Sequence, residues 1–117
     1  IDVLDADGVF RGGLIAPGVD LMRRALAGNT AQLPLADGGI VDLPTCTADA
    51  IMMGCLHAQA GAIERMYRQV AGLPGASCLL NGGAAAQIAP LLDVPLRIID
   101  NLVLDGVAVA QAQGRFR

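Results

Sequence analysis

Two glycine pairs and one threonine stand where this chain could meet a ligand. In CLLNGGAAA, residues 78–86, an apolar run leads into Gly82-Gly83 and then a helical pattern. Free backbone N–H groups at such a helix start can receive a phosphate or let a nucleotide lie against the chain. The spacing is neither the Gly-x-x-x-x-Gly-Lys-Ser/Thr loop nor Gly-x-Gly-x-x-Gly. Nucleotide contact and a tight strand–helix turn therefore both stay open, the turn being the commoner outcome. The second pair, Gly12-Gly13, interrupts a strand pattern, and Pro17-Gly18 turns the chain just before a helix. Glycine in a strand costs order and packing, so a close approach must require it. Either a neighbouring backbone or a ligand would satisfy that requirement.

Thr47 opens the longest helical pattern, with Asp49 in its first turn. Taken alone, Thr47 is an N-cap and Asp49 complements the positive helix end. His57, the single histidine, sits on that helix among small residues and reads as packed or interfacial. Cys55 falls on the apolar stripe and reads as core. Asp2, Asp5 and Asp7 invite a metal reading, but Asp5 and Asp7 are turn residues in DADG, and strand alternation puts Asp2 and Asp5 on opposite faces. Cys46, Cys55 and Cys78 lack C-x-x-C spacing. No metal site is expected, and no Ser/His/Asp set or paired carboxylate emerges.

The elements that must position these residues follow from periodicity. Residues 1–16 read as a β-hairpin turning at DADG. Residues 19–26 have helical spacing, with Val19, Met22 and Leu26 on one face and Arg23 and Arg24 largely opposite; Gly28-Asn29 is the stop. Residues 33–44, holding Pro34, Gly38, Gly39 and Pro44, read as loop. The long helix carries Ile51, Cys55, Ala58, Ala62, Met66 and Val70 as its apolar stripe, widened by Met52, Leu56, Ile63 and Tyr67, with a Glu64–Arg68 pair at i, i+4. It ends by Gly72 and Pro74-Gly75. Gly54, Ala58 and Gly61 form a small-residue strip that another helix could approach closely. Residues 77–80 and 96–99 are short strands. A helix disturbed at Pro90 lies between them, and an amphipathic helix over 101–113 follows, with Leu102, Val103, Val107 and Ala110 facing inward. The order β-β-α-α-β-α-β-α indicates α/β or α+β.

Composition narrows the function classes. The chain has 117 residues, is 54% hydrophobic with mean hydropathy +0.53, and carries net charge −3. That length supports one domain and one core. No apolar run reaches the length of a membrane span, so no membrane partner is expected. All eight basic residues are arginine, and no basic stripe is interleaved with aromatics, so nucleic acid is not an expected partner. An odd number of cysteines suits reduced thiols and a cytoplasmic location. The sequence starts at Ile1, inside an apolar strand pattern, which suggests a piece of a longer polypeptide.

Four segments in register carry a family resemblance: IDVLDADGVFRGGLIAPGVDLMRRAL, TADAIMMG, LLNGGAAAQIAPLLD and NLVLDGVAVA. Over nearly the whole chain they resemble the C-terminal half of type III pantothenate kinases, the family that includes the Bvg accessory factor proteins. The resemblance implies an α/β fold, one ribonuclease H-like half of the actin-like ATPase architecture shared by acetate and sugar kinases, Hsp70 and actin. It implies phosphorylation of pantothenate by ATP, the first step of coenzyme A synthesis, in a homodimer requiring Mg²⁺ and a monovalent cation, K⁺ or NH₄⁺. Thr47 matches the threonine of the Asn-Thr-x-x-Ala pattern that contacts pantothenate, with Cys46 in place of Asn. Gly82 and Gly83 match the Thr-Gly-Gly turn near the nucleotide, with Asn81 in place of Thr. Gly12 and Gly13 would shape the cleft, and the long helix would pack at the dimer interface.

The family's Asp-x-Gly-Asn-Thr phosphate loop, its Gly-x-Asp-Arg segment with the catalytic base, and its Asp-x-Gly-Thr segment have no counterpart in these residues. No catalytic residue is therefore expected within this chain. The 117 residues are expected to be an incomplete subdomain, lacking the N-terminal half and the first strand, that folds poorly and is inactive alone. The same fold serving as a non-enzymatic accessory factor in transcriptional regulation is the rival reading.

Overall fold

The DADG turn is organised by one side chain. In the computed structural model, which describes residues 1–29, 35 and 37–115, the Asp5 carboxylate accepts N–H bonds from Asp7 (3.0 Å) and Val9 (2.9 Å). Gly8 completes the turn at φ +75°. The flanking strands, β1 (Asp2–Leu4) and β2 (Phe10–Gly13), pair antiparallel. Their register runs Asp2↔Gly13, Val3↔Gly12, Leu4↔Phe10, which leaves Arg11 as the extra residue of a bulge. The bulge lets Arg11 reach back, its Nη2 lying 2.5 Å from Asp5 Oδ2. The strand ends at Gly13, earlier than the sequence pattern suggests.

The main packing unit is a pair of helices. Helix α1 (Val19–Asn29) runs through Gly28, past the expected Leu26. Helix α2 (Thr47–Tyr67) is the longest element. Residues 30–34 and 36, including Pro34 of the expected loop, lie outside the described residues. The cap of α2 is Cys46, which makes no side-chain capping bond, so Thr47 is the first helical residue and not the N-cap. Its hydroxyl is thereby left free of a capping bond and exposed.

The face that α2 buries is also rotated from the expected stripe. Met52, Met53, Leu56, Ala60 and Ile63 are buried together with Cys55, whereas Ala58 is exposed and Ile51, Ala62, Met66 and Val70 are only half-buried. The residues expected to flank the stripe are its centre. Leu56, at 0% exposure, is the middle of a core that also takes Val19 from α1 and Ile88. Helix α2 ends at Tyr67, and its hydroxyl donates to the Ala76 carbonyl (3.0 Å), tying down the turns that follow.

Strands β3 (Cys78–Leu80) and β4 (Leu96–Ile98) pair in parallel, Cys78↔Leu96 to Leu80↔Ile98. The crossover between them is α3 (Ala85–Ile88), which tightens into a 3-10 turn over Ala89–Leu91 where Pro90 removes a backbone donor. Glu64 does not form the expected salt bridge with Arg68; its Oε1 accepts the Asp93 N–H (3.0 Å), anchoring the crossover to α2. The architecture is α/β, with two separate two-stranded sheets among the described residues.

The last helix, α4 (Leu102–Ala112), corrects another expectation. It buries no residue; Val103 is 68% exposed, Leu102 and Val107 are exposed as well, and only Ala110 is half-buried. No helix among the described residues is long and apolar enough to cross a membrane.

Candidate functional site

Helices α1 and α2 flank a groove of about 830 Å³. Leu21, Met22, Ala25 and Leu26 form one wall, with Pro17 before them. Thr47, Ala50, Ile51, Gly54 and Cys55 form the other. The periodicity of each helix dictates these walls, because residues three and four apart share a face. Among the described residues, Thr47 supplies the only hydroxyl of the lining, and no charged residue takes part. Burial pushes the Cys55 thiol up, opposed in part by the charge on Arg23. Cys55 therefore presents a neutral, weakly nucleophilic wall. The groove can hold an apolar moiety and offer it one hydroxyl.

The approach to α1 is fastened to α2. The Gln59 side-chain amide donates to the Pro17 carbonyl, and the Met22 N–H bonds back to Gly18 (2.9 Å). Pro17-Gly18 thus serve the turn into α1, as the sequence indicates.

A second hollow, of about 360 Å³, lies between the hairpin and the far end of α2. Gly12, Gly13 and Arg11 meet Met66, Val70 and Leu73 there. Both glycines have local reasons to be glycine. Gly12 has φ +127°, which other residues rarely adopt. A Cβ on Gly13 would lie 2.2 Å from the Ile1 carbonyl oxygen. Of the two possibilities left open by the sequence, a neighbouring backbone makes the close approach.

Gly82 and Gly83 form the turn from β3 to α3. Gly82 has φ +115°, and a Cβ on either would meet nothing within 4 Å. Asn81 precedes them and donates from Nδ2 to the Ile99 carbonyl (2.5 Å), lacing the C-terminal ends of β3 and β4 together. The turn opens to solvent at the end of a parallel strand pair, where α/β sheets characteristically take ligands.

These features do not converge on one site among the described residues. Neither hollow is lined by Gly82 or Gly83. Thr47 and Met66 are nineteen positions apart on α2, about 28 Å at the helical rise, so the Thr47 groove and the Gly12-Gly13 hollow occupy opposite ends of that helix. Among the described residues, no group of three His, Cys, Asp or Glu side chains could hold a metal ion.

Sequence reasoning missed how residues 37–39 brace the helix pair. The Asp37 carboxylate meets Arg23 Nη2 at 2.8 Å. The Gly39 N–H donates to Asp49 Oδ1 at 2.7 Å. Arg23, expected opposite the apolar face of α1, has its side chain only 13% exposed, while the Asp37 carboxylate it meets is 97% exposed. The Gly38-Gly39 pair was the available signal, but a glycine pair in a loop does not say what it lies against.

Comparisons with known proteins point one way. A sequence profile of the family described as type III pantothenate kinase matches residues 1–69. A type III pantothenate kinase of Aromatoleum aromaticum is 66% identical over 109 residues, covering 93% of this chain and 45% of that protein. Similar relatives of the same name occur in an Azoarcus species, 55% identical over 96% of this chain and 43% of the relative, and in Dechloromonas aromatica, 56% identical over 92% and 44%. The chain spans less than half the length of these curated relatives.

Proposed function

The chain belongs to the type III pantothenate kinase family, and from that we propose that it is the C-terminal, ribonuclease H-like portion of an enzyme that phosphorylates pantothenate with ATP. The reaction opens coenzyme A synthesis. The γ-phosphoryl group passes in line to the primary hydroxyl of pantothenate, and catalysis rests on positioning and charge stabilisation. The catalytic base lies outside these residues, since the family's Gly-x-Asp-Arg segment has no counterpart here; Asp5, the one carboxylate lining a described hollow, is taken up by Arg11 and by the Asp7 and Val9 N–H groups.

Thr47 carries the reading. Freed from capping, its hydroxyl is available on a groove whose other described lining residues are apolar. Pantothenate bears a gem-dimethyl carbon beside hydroxyl and amide groups, and such a wall complements that part of it. Gly82 and Gly83 border the nucleotide; the open space where their Cβ atoms would stand is room for ATP to lie against the backbone. Gly12 and Gly13 shape the second hollow, at the other end of α2 from Thr47. Mg²⁺ and a monovalent cation, when bound, offset phosphate charge, but the described residues offer them no ligand set. Helix α2 supplies the homodimer face at Gly61, beyond the groove, because nothing lies within 4 Å of a Cβ built there and a second helix can approach. A cytoplasmic location accords with such chemistry.

The test uses a polypeptide of the relatives' length that carries this segment. ATP-dependent phosphorylation of pantothenate is measured with and without K⁺ or NH₄⁺, beside a Thr47→Ala variant. Cation-dependent turnover with a pantothenate KM raised about fivefold or more in Thr47→Ala, the usual scale for losing one hydrogen bond, supports the proposal. A well-folded dimer without turnover overturns it and favours the accessory role.

A further inference from the structure

We propose that Asp49 and Gly38 are positioning residues: they hold residues 37–39 as a brace across α1 and α2 that sets the width of the Thr47 groove. The inference rests on the reading of that groove as the pantothenate site.

Three contacts define the brace. Asp37, its side chain 97% exposed, pairs with the largely covered Arg23 on α1 (2.8 Å). The Gly39 N–H bonds to Asp49 on α2 (2.7 Å). Between them, Gly38 lies flush on α2: a Cβ there would stand 2.2 Å from the Ala48 carbonyl oxygen and 2.8 Å from Met52 Cβ. Only glycine permits so close an approach without a shift of α2 or of the brace. One short segment is thus fixed to both helices and in contact with the start of α2.

The brace is on the side away from the groove. At 100° per residue, Asp49 is about 200° around α2 from Thr47, and Ala48 and Met52 are likewise absent from the groove lining. On α1, Arg23, like Arg24, lies between the groove-lining Met22 and Ala25 and does not line the groove. A fastening on the back of two helices that share a groove constrains their separation on the front. The described lining offers a single hydroxyl and otherwise apolar side chains, so how well it fits a substrate depends on the shape of the groove, and shape depends on that separation.

The charge of Asp49 has a second, separate effect at the positive end of α2, and the two can be divided. Asp49→Asn keeps an oxygen that accepts the Gly39 N–H and loses the charge. Asp49→Ala loses both. In the polypeptide of the relatives' length, Asp49→Ala raises the pantothenate KM about fivefold and leaves the ATP KM within twofold, whereas Asp49→Asn keeps both within twofold. Amide exchange, read by mass spectrometry, quickens over residues 19–29 in Asp49→Ala and not in Asp49→Asn. Gly38→Ala, which displaces the brace without touching Asp49, repeats the Asp49→Ala pattern. Equal effects of Asn and Ala on KM, or a fall in melting temperature alone in both, would mean that Asp49 only stabilises the helix start and would overturn the proposal. Should the wild type not phosphorylate pantothenate, the reading of the groove fails on its own. The exchange comparison then decides the brace, and unchanged exchange of α1 in Asp49→Ala overturns it.

Discussion

Gly13 and Ile1 meet backbone to backbone. A Cβ on Gly13 would sit 2.2 Å from the Ile1 carbonyl oxygen and 3.2 Å from Asp2 Cα, with no flexible side-chain end to give way at the oxygen. The Leu14 N–H donates to that same carbonyl at 2.8 Å, so the strand cannot back away without losing a ladder bond.

Substitutions at two glycines should therefore shift stability in opposite directions. Gly13→Ala should destabilise by about 1–3 kcal/mol, the range for local overpacking and strain. Gly54→Ala lies inside α2 with nothing within 4 Å of its new Cβ and should stabilise by about 0.5–1 kcal/mol through lower backbone entropy of the unfolded chain. Urea unfolding midpoints of the two variants should move to opposite sides of the wild type. A shared direction would show that one of the two environments is wrong.

The hairpin should be acid-sensitive through Asp5. The Val9 N–H does most to lower its carboxyl below 3.8, opposed by lost solvation and aided by Arg11 and the Asp7 N–H. With the folded pKa below the unfolded one, the unfolded state binds more protons between them, so stability rises with pH across that interval. The contribution is complete above the unfolded value and is lost as pH falls through the folded one. An NMR titration of the Asp5 carboxyl carbon should show a midpoint below 3.8, and Asp5→Asn should abolish the accompanying shift changes at Asp7 and Val9. A midpoint at or above 3.8 would refute the turn geometry.

The three thiols should react in a definite order. Cys46 is exposed, Cys78 half-buried and Cys55 buried, and burial pushes the thiols of Cys55 and Cys78 up. Thiolate and access both govern the rate. With a disulfide reagent at pH 8, one fast phase should belong to Cys46 and vanish in Cys46→Ser, while Cys55 should react only as fast as the core opens. A fast phase surviving Cys46→Ser would place Cys55 or Cys78 at the surface.

Much of this molecule could be read from local chemistry. The DADG turn, the hairpin, the four helices and the change of helix type at Pro90 each follow from residues within a few positions of one another. The family also was legible, because four motifs in register constrain one another more than any one of them does. Details that depend on a neighbour were not. The stripe of α2 was displaced because apolar residues surround much of that helix, and only its contacts with α1 and α3 select Met52, Leu56, Ala60 and Ile63 as the buried set. Glu64 took the Asp93 N–H over Arg68 for the same reason.

The sequence by itself determined the elements, their order and the family, since turn geometry, helical spacing and motif register are properties of the chain alone. Only the tertiary structure decided that Gly13 meets a backbone, that Thr47 escapes capping to face a groove, that residues 37–39 span two helices, and that the apolar side of α4 stays exposed. Periodicity says that a face is apolar, not what covers it. What lies opposite a residue depends on segments distant in sequence, and that information enters only when the chain is packed.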